Sequence, residues 1–483
     1  MSSEAEPPRL YAAHEPIFPR RVHGRFRNLK WLIMAITLAI YYVTPWIRWD
    51  RGASMPDQAV LVDLANRRFF FFWIEIWPHE FYFVAGLLIM AGLGLFLFTS
   101  ALGRVWCGYA CPQTVWTDLY ILVERWIEGD RNNRIRIYRQ KWDAQKVRLR
   151  ITKWAAWLLI GLLTGGAWVF YFTDAPTLMR DLLTGNAHPV AYSTIAVMTA
   201  TTFFFGGFAR EQICIYACPW PRIQAAMMDE DTLTVAYREW RGEPRGKIRP
   251  GEATKSDDPP GLKGDCIDCL ACVNVCPMGI DIREGQQLEC ITCALCIDAC
   301  DEMMDKIGKP RGLIDYMALR DESAERAGAA PLPVMRHVLR PRTMIYFALW
   351  AAIGVGLVVA LFLRSPFDLN VSPVRSPVFV TLSDGSIRNT YELRMRNKQH
   401  DAREFRIGAD GQDAETLAVT LEGIDGQVVT VPADETLTQR VYLTAPAGSP
   451  LTRDESVGLD ILVTDITDGI SATAPTVFHG MGH

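Results

Sequence analysis

The chain has 483 residues, a formal net charge of −4 and 49% apolar residues. That length predicts two to four units rather than one small domain, and so little net charge does not point to nucleic acid or an acidic partner. The 12 cysteines all fall in short-spaced groups, which excludes a disulfide scaffold and points to metal or cluster sites.

The apolar residues are unevenly spread, and five runs are each about 20 residues long, enough to cross a hydrocarbon core of roughly 30 Å. They cover residues 29–47, 81–102, 154–173, 189–208 and 343–363. Such lengths argue against buried helices of a soluble protein. The first run starts too late, and lacks the small-residue cleavage site, for a removed leader. The aromatic run at residues 69–77 is too short to span and is expected at the interface or against the bundle.

Lys and Arg placement sets the expected orientation. Arg20, Arg21, Arg25, Arg27 and Lys30 precede or open the first run. Nine more lie at residues 131–153, between the second and third runs: Arg131, Arg134, Arg136, Arg139, Lys141, Lys146, Arg148, Arg150 and Lys153. Only Arg180 lies between the third and fourth. This predicts a cytoplasmic N-terminus (residues 1–28). Arg48, Arg51, Arg67 and Arg68 are a milder contrary signal. With five crossings, residues 365–483 lie opposite, in the periplasm of a bacterial inner membrane.

Between the fourth and fifth runs, residues 241–342 are expected in the cytoplasm. Residues 241–264, rich in Gly, Pro and charge, read as a linker. The stretch through residue 332 reads as polar and partly helical. The tail lacks cysteine and carries short β-rich runs at residues 378–382, 391–396, 417–421, 428–431, 437–444 and 459–464. Asp384-Gly385, Asp410-Gly411 and Asp425-Gly426 mark turns between several of them. This predicts an immunoglobulin-like antiparallel β-sandwich. The expected fold is thus a multi-domain membrane protein: an α-helical transmembrane bundle (residues 29–240 and 343–364), a cytoplasmic cysteine module and a periplasmic β domain.

Two cysteine runs carry the strongest chemistry. Cys266-x2-Cys269-x2-Cys272-x3-Cys276-Pro277 is followed by Cys290-x2-Cys293-x2-Cys296-x3-Cys300. This is the spacing of two-cluster ferredoxins, in which three thiolates wrap one cubane and the fourth reaches the other cluster. One [4Fe–4S] cluster is then expected on Cys266, Cys269, Cys272 and Cys300. The other is expected on Cys290, Cys293, Cys296 and Cys276. Structural zinc sites pair two Cys-x2-Cys knuckles instead, without an offset fourth cysteine. Asp301 stands where a ferredoxin usually has proline.

The other four cysteines form Cys107-Gly-Tyr-Ala-Cys111-Pro112 and Cys214-Ile-Tyr-Ala-Cys218-Pro219. On a helix the i, i+4 spacing puts both sulfurs on one face. Each pair follows an even-numbered apolar run, so all 12 thiols are expected at one membrane face. Four soft thiolates there suit Cu(I). They also suit redox-active thiols, contacts around a quinone or haem, or plain buried packing.

These motifs resemble those of the CcoG family, also called FixG or RdxA, accessory proteins for assembly of cbb3-type cytochrome c oxidase. The likeness lies in residues 103–118 around Cys107 and Cys111, and in residues 210–232 around Cys214 and Cys218. It extends to residues 264–309, to Tyr11-Ala-Ala-His14, to Ile17-Phe-Pro-Arg20 and, more loosely, to the tail. It implies a cupric reductase that turns Cu(II) into Cu(I) for the oxidase. By this resemblance Cys107, Cys111, Cys214 and Cys218 are the copper-binding and reducing site, and the eight module cysteines are cluster ligands. It also implies copper-handling assembly factors, a copper importer and oxidase subunits as partners, and a homodimer.

The expected step is transfer of one electron from a cluster to Cu(II) at the four thiols. The alternatives are quinol-linked electron transfer without copper, and a non-enzymatic copper-binding scaffold. His479, Met481 and His483 are a possible outer copper site on a tail expected to fray. His14, His23, His79 and His188 stand alone and receive no role. Glu75, Glu80 and Arg104 near run ends are expected to anchor at the interface.

Overall fold

The computed structural model describes residues 16–52, 55–247, 264–399, 401–433 and 435–482. His14 with its motif, most of the 241–264 linker, and His483 lie outside the described residues. Two compact units result. One comprises Met1–Trp49 and Gln58–Leu357, the other Asp50–Asp57 and Val358–His483. The cysteine module therefore shares a unit with the first four apolar helices, and the boundary falls within the fifth.

Among the described residues, five helices are long and apolar enough to cross a membrane: Arg25–Trp46, Phe81–Leu102, Ala144–Tyr171, Pro189–Ala217 and Pro341–Phe362. The third begins ten residues before its apolar run. Asp143 caps it by accepting from the Lys146 backbone N–H at 2.7 Å, so the basic turns join the same helix. The fourth continues past its apolar run through two π-helical turns, Phe205–Ala209 and Ile213–Ala217. Hydropathy marks the apolar part of a helix and not its ends. The third and fourth helices approach through Gly161 and Gly165. A Cβ on Gly161 would sit 3.2 Å from the Thr199 carbonyl, and one on Gly165 would strike Met198 and Thr202. Small residues four apart permit such close helix crossings.

The aromatic run at residues 69–77 forms two strands, Arg68–Phe71 and Ile74–Ile76, paired antiparallel beside Val60–Asp63. Phe70, Glu75, Ile76 and Trp77 of this run are buried.

The cysteine module packs helices Ala271–Val275 and Leu295–Lys306 over Val235, Ile282, Ile297, Leu313 and Ile314. Strands Thr234–Tyr237 and Ile314–Met317 pair antiparallel and tie its two chain ends together. The second strand lies in the stretch that read as polar and partly helical. The module also holds the first apolar helix. Asp298 accepts from the backbone N–H groups of Phe26 at 3.2 Å and Arg27 at 2.7 Å. These are orphan donors of the helix N-terminus, whose dipole favours a carboxylate.

In the second unit two antiparallel sheets share one core. One runs Ala418–Leu421, Thr436–Ala445, Ile387–Asn397, Phe367–Pro373, with Val380–Thr381 also on Ile387–Asn397. The other runs Val428–Val431, Arg403–Asp410, Ser456–Asp465, Ser471–His479. Residues of Ile387–Asn397 alternate inward and outward, and Phe367 meets Phe405 across the sheets at 4.9 Å.

Candidate redox site

Two cavities in the module are lined by its eight thiols, with Cys272 shared between them. Cys266, Cys269, Cys272 and Cys300 line the first, with Tyr237, Met304 and Leu313. Cys276, Cys290, Cys293 and Cys296 line the second, with Cys272, Ile282 and Ile291. The two runs curl alike. Asp268 and Leu270 in one, and Thr292 and Ala294 in the other, adopt φ between 54° and 58°. Non-glycine residues rarely hold that conformation, and it clusters at functional sites. It winds each Cys-x2-Cys-x2-Cys run around its cavity.

Among the described residues no three His, Cys, Asp or Glu converge on one metal ion. The thiols instead surround a space with apolar walls, which suits a cubane larger than a single ion. Burial pushes the Cys276 and Cys300 thiols up to about 12 and Cys290 to about 11. Buried thiols need a bound cation to exist as thiolates, and eight of them in two sets of four fit two [4Fe–4S] clusters. Asp301, at the usual proline position, lies inside the helix Leu295–Lys306. Its carboxylate accepts from the Gly312 backbone N–H at 3.0 Å, whereas a proline would break that helix.

The Cys-x3-Cys-Pro motifs differ from the helical reading. Neither pair shares one continuous helix. Cys107 belongs to Val105–Tyr109, and Cys111 is extended before the helix Pro112–Glu128. Cys214 lies in the π-helical turn Ile213–Ala217, and Cys218 is extended. Both pairs close by the same bond. Cys111 N–H donates to the Trp106 carbonyl at 3.0 Å, and Cys218 N–H to the Ile213 carbonyl at 2.8 Å. The proline ends each turn, because X-Pro disfavours helix at the preceding residue.

The structure brings the four motif thiols together, close enough for charge on each to act on the others. The Cys107 thiol donates to Gln224 Oε1 at 3.1 Å, and Gln224 Nε2 donates to Thr99 Oγ1 at 3.3 Å. Burial pushes Cys107 up to about 11, against the opposing pull of Arg104.

These thiols adjoin the second cavity. Cys107 and Cys214 pack in one cluster with Cys276, Cys293, Cys296 and Ile291. Gly108 makes the approach possible. A Cβ there would lie 2.6 Å from the Ile291 carbonyl oxygen and 3.0 Å from the Cys293 Cα. Next to it, Tyr109 donates to the Cys293 carbonyl at 3.2 Å, and Tyr316 donates to the Thr292 carbonyl at 3.3 Å.

Arg104 is not an interfacial anchor. It is buried, hydrogen-bonds Cys107 and donates to the Leu288 carbonyl oxygen. Its charge acts on Cys107, Cys214 and Cys290. Its place three residues before Cys107 was the signal available. Gln224 and Gly108 gave none, because backbone approach and long-range contacts leave no local pattern. Glu75 and Glu80 are also buried. Glu75 pairs with Arg68 at 3.3 Å, and Glu80 accepts from the Trp77 backbone at 3.2 Å. His479 is no frayed end either: it closes the strand Ser471–His479, its N–H donating to Asn389 at 3.1 Å.

A model of a 4Fe-4S binding domain matches residues 83–131, and one of a 4Fe-4S dicluster domain matches residues 209–319. A model described as an IG-like fold at the C-terminal of FixG matches residues 357–481. Protein RdxB of Cereibacter sphaeroides is 69% identical over 482 residues, covering 100% of both chains. Protein RdxA of the same organism is 63% identical and covers 98% of each. Nitrogen fixation protein FixG of Rhizobium meliloti is 53% identical, covering 93% of this chain and 90% of the relative.

Proposed function

This chain belongs to the FixG/RdxA family, and on that premise we propose that it is an inner-membrane cupric reductase, turning Cu(II) into Cu(I) during assembly of a cbb3-type oxidase. The coarser statement, an iron–sulfur electron-transfer protein, follows from the family and the cluster domains. The observation that carries the copper reading is the packing of Cys107 and Cys214 in the same cluster as Cys276, Cys293 and Cys296 of the second thiol set.

The eight module cysteines hold the clusters, which when bound supply electrons one at a time. Cu(II) needs one electron to become Cu(I). Cys107, Cys111, Cys214 and Cys218 receive the copper substrate and, as soft thiolates, favour the Cu(I) product. Gln224 fixes the Cys107 sulfur, and Arg104 offsets the negative charge that accumulates as thiols ionise. Gly108 sets the distance.

The N-terminus and module face the cytoplasm and the β domain faces the periplasm. Supporting this, Arg27 and Lys30 pair with buried Asp118 at 3.0 and 3.2 Å at the end of the first helix that also meets the module. Copper-handling factors and oxidase subunits are the partners in this reading.

The test is anaerobic Cu(II) reduction by the purified full chain and by C107S and C214S, with iron counted in each. The proposal requires loss of copper reduction with iron unchanged. Unchanged copper reduction sinks the site. Quinol oxidation without any response to Cu(II) would favour the quinol-linked alternative.

A further inference from the structure

A cavity of about 570 Å³ lies where the basic first turns of the third apolar helix meet the π-helical end of the fourth. Lys146, Arg150, Lys153 and Arg210 line it, with the indoles of Trp142, Trp154 and Trp157. No step of copper chemistry uses it.

The charges around it do not balance. Glu124 takes Arg134, Arg210 at 2.6 Å and Lys153 at 3.5 Å. Glu128 takes Lys153 at 2.9 Å and Arg150 at 3.4 Å. Lys146 is buried, and among the described residues its ammonium meets only the Tyr138 and Gln140 carbonyls and the Trp142 ring. The residues lining the cavity set four cations, Lys146, Arg150, Lys153 and Arg210, against two carboxylates, Glu124 and Glu211. A neutral ligand would leave that excess uncompensated, whereas an anion would offset it. Indoles beside cations at the ends of apolar helices mark the headgroup level of a bilayer, and basic pockets between such helices bind anionic headgroups.

We propose that this cavity binds the phosphodiester of an anionic phospholipid, held by Lys146 and Arg150 and framed by Trp142 and Trp154. The inference rests on the membrane-spanning reading of the two helices. Binding there would fix the ends of the third and fourth helices, and the fourth carries Cys214.

The test uses the full chain in neutral detergent. Native mass spectrometry counts retained phosphatidylglycerol against phosphatidylcholine, with inorganic phosphate as competitor. The expected result is selective retention of phosphatidylglycerol, weakened about fivefold by each of K146Q and R150Q, with iron content unchanged. Should a variant fail to fold, wild-type tryptophan quenching by brominated phosphatidylglycerol must exceed that by brominated phosphatidylcholine in nanodiscs. Equal retention of the two lipids overturns the proposal. Displacement by millimolar inorganic phosphate identifies a free-phosphate site and also overturns it. Retention of neither lipid overturns the site and leaves the membrane-spanning reading, which rests on helix length and hydropathy, in place.

Discussion

The two four-thiol cavities are near copies in backbone and ligand pattern, yet their surroundings differ. In the first, Cys269 is exposed, and the packed neighbours are Phe26, Ile307 and Tyr316. In the second no thiol is exposed, and Cys107 and Cys214 pack in the same cluster as Cys276, Cys293 and Cys296. A duplicated motif has thus acquired two environments, one facing solvent and one facing the motif thiols. In the proposed reduction this makes the first the receiving side and the second the delivering side.

Removing one ligand from each cavity is the strongest way to break that comparison. C293A should lose roughly half of the iron, one four-iron cluster of two, along with copper reduction. It should also lower the unfolding temperature more than C269A, because Cys293 is buried against Ile291 and Leu295. Iron analysis and thermal unfolding check both. Equal effects would mean that the two cavities are equivalent.

The buried charges around Glu124 come next. Burial alone would raise the Glu124 carboxyl, but Arg210, Arg134 and Lys153 overcome this and hold it at about 2. E124Q leaves these cations without their shared partner and should cost about 3–5 kcal/mol. Because the folded-state value lies below the ordinary 4.5, this stability is present above that pH. It is lost as pH falls from there toward 2. Denaturant unfolding of wild type against E124Q should converge across that window.

G108A sharpens the comparison from the other direction. The added methyl meets the Ile291 carbonyl, so about 1–3 kcal/mol of overpacking is expected. Copper reduction should fall with both clusters retained, as paramagnetic resonance would show. Normal reduction would mean that the close approach at Gly108 is unimportant. The smallest effect is D298A, which removes a cap of the first apolar helix and should cost about 1 kcal/mol, with copper reduction intact.

Much of this was legible in the chain. The cluster spacing is local, so Cys266 through Cys300 disclosed their sets without a structure. Each apolar run starts or ends where its helix does to within a few residues; the start of the third was misread at Asp143, where charge hid a continuous helix, and the fourth helix runs past its apolar end to Ala217. In the tail three strands were missed. Ser471–His479 contains Pro475, which an edge strand tolerates because it pairs on one side only. Arg403–Asp410 and Phe367–Pro373 carry too many polar residues to stand out by composition. At the site, the helical reading of the Cys-x3-Cys pairs failed because proline after the second cysteine imposed a turn. The Arg104 and Gln224 contacts depend on tertiary packing, which no spacing rule encodes.

The central claim is that the second cavity serves the motif thiols. The most direct measurement is freeze-quench paramagnetic resonance of the reduced protein mixed with one equivalent of Cu(II). The account predicts that the Cu(II) and reduced-cluster signals decay together in wild type, and that both persist in the C107S/C214S double variant. Decay at the wild-type rate in that variant would contradict it.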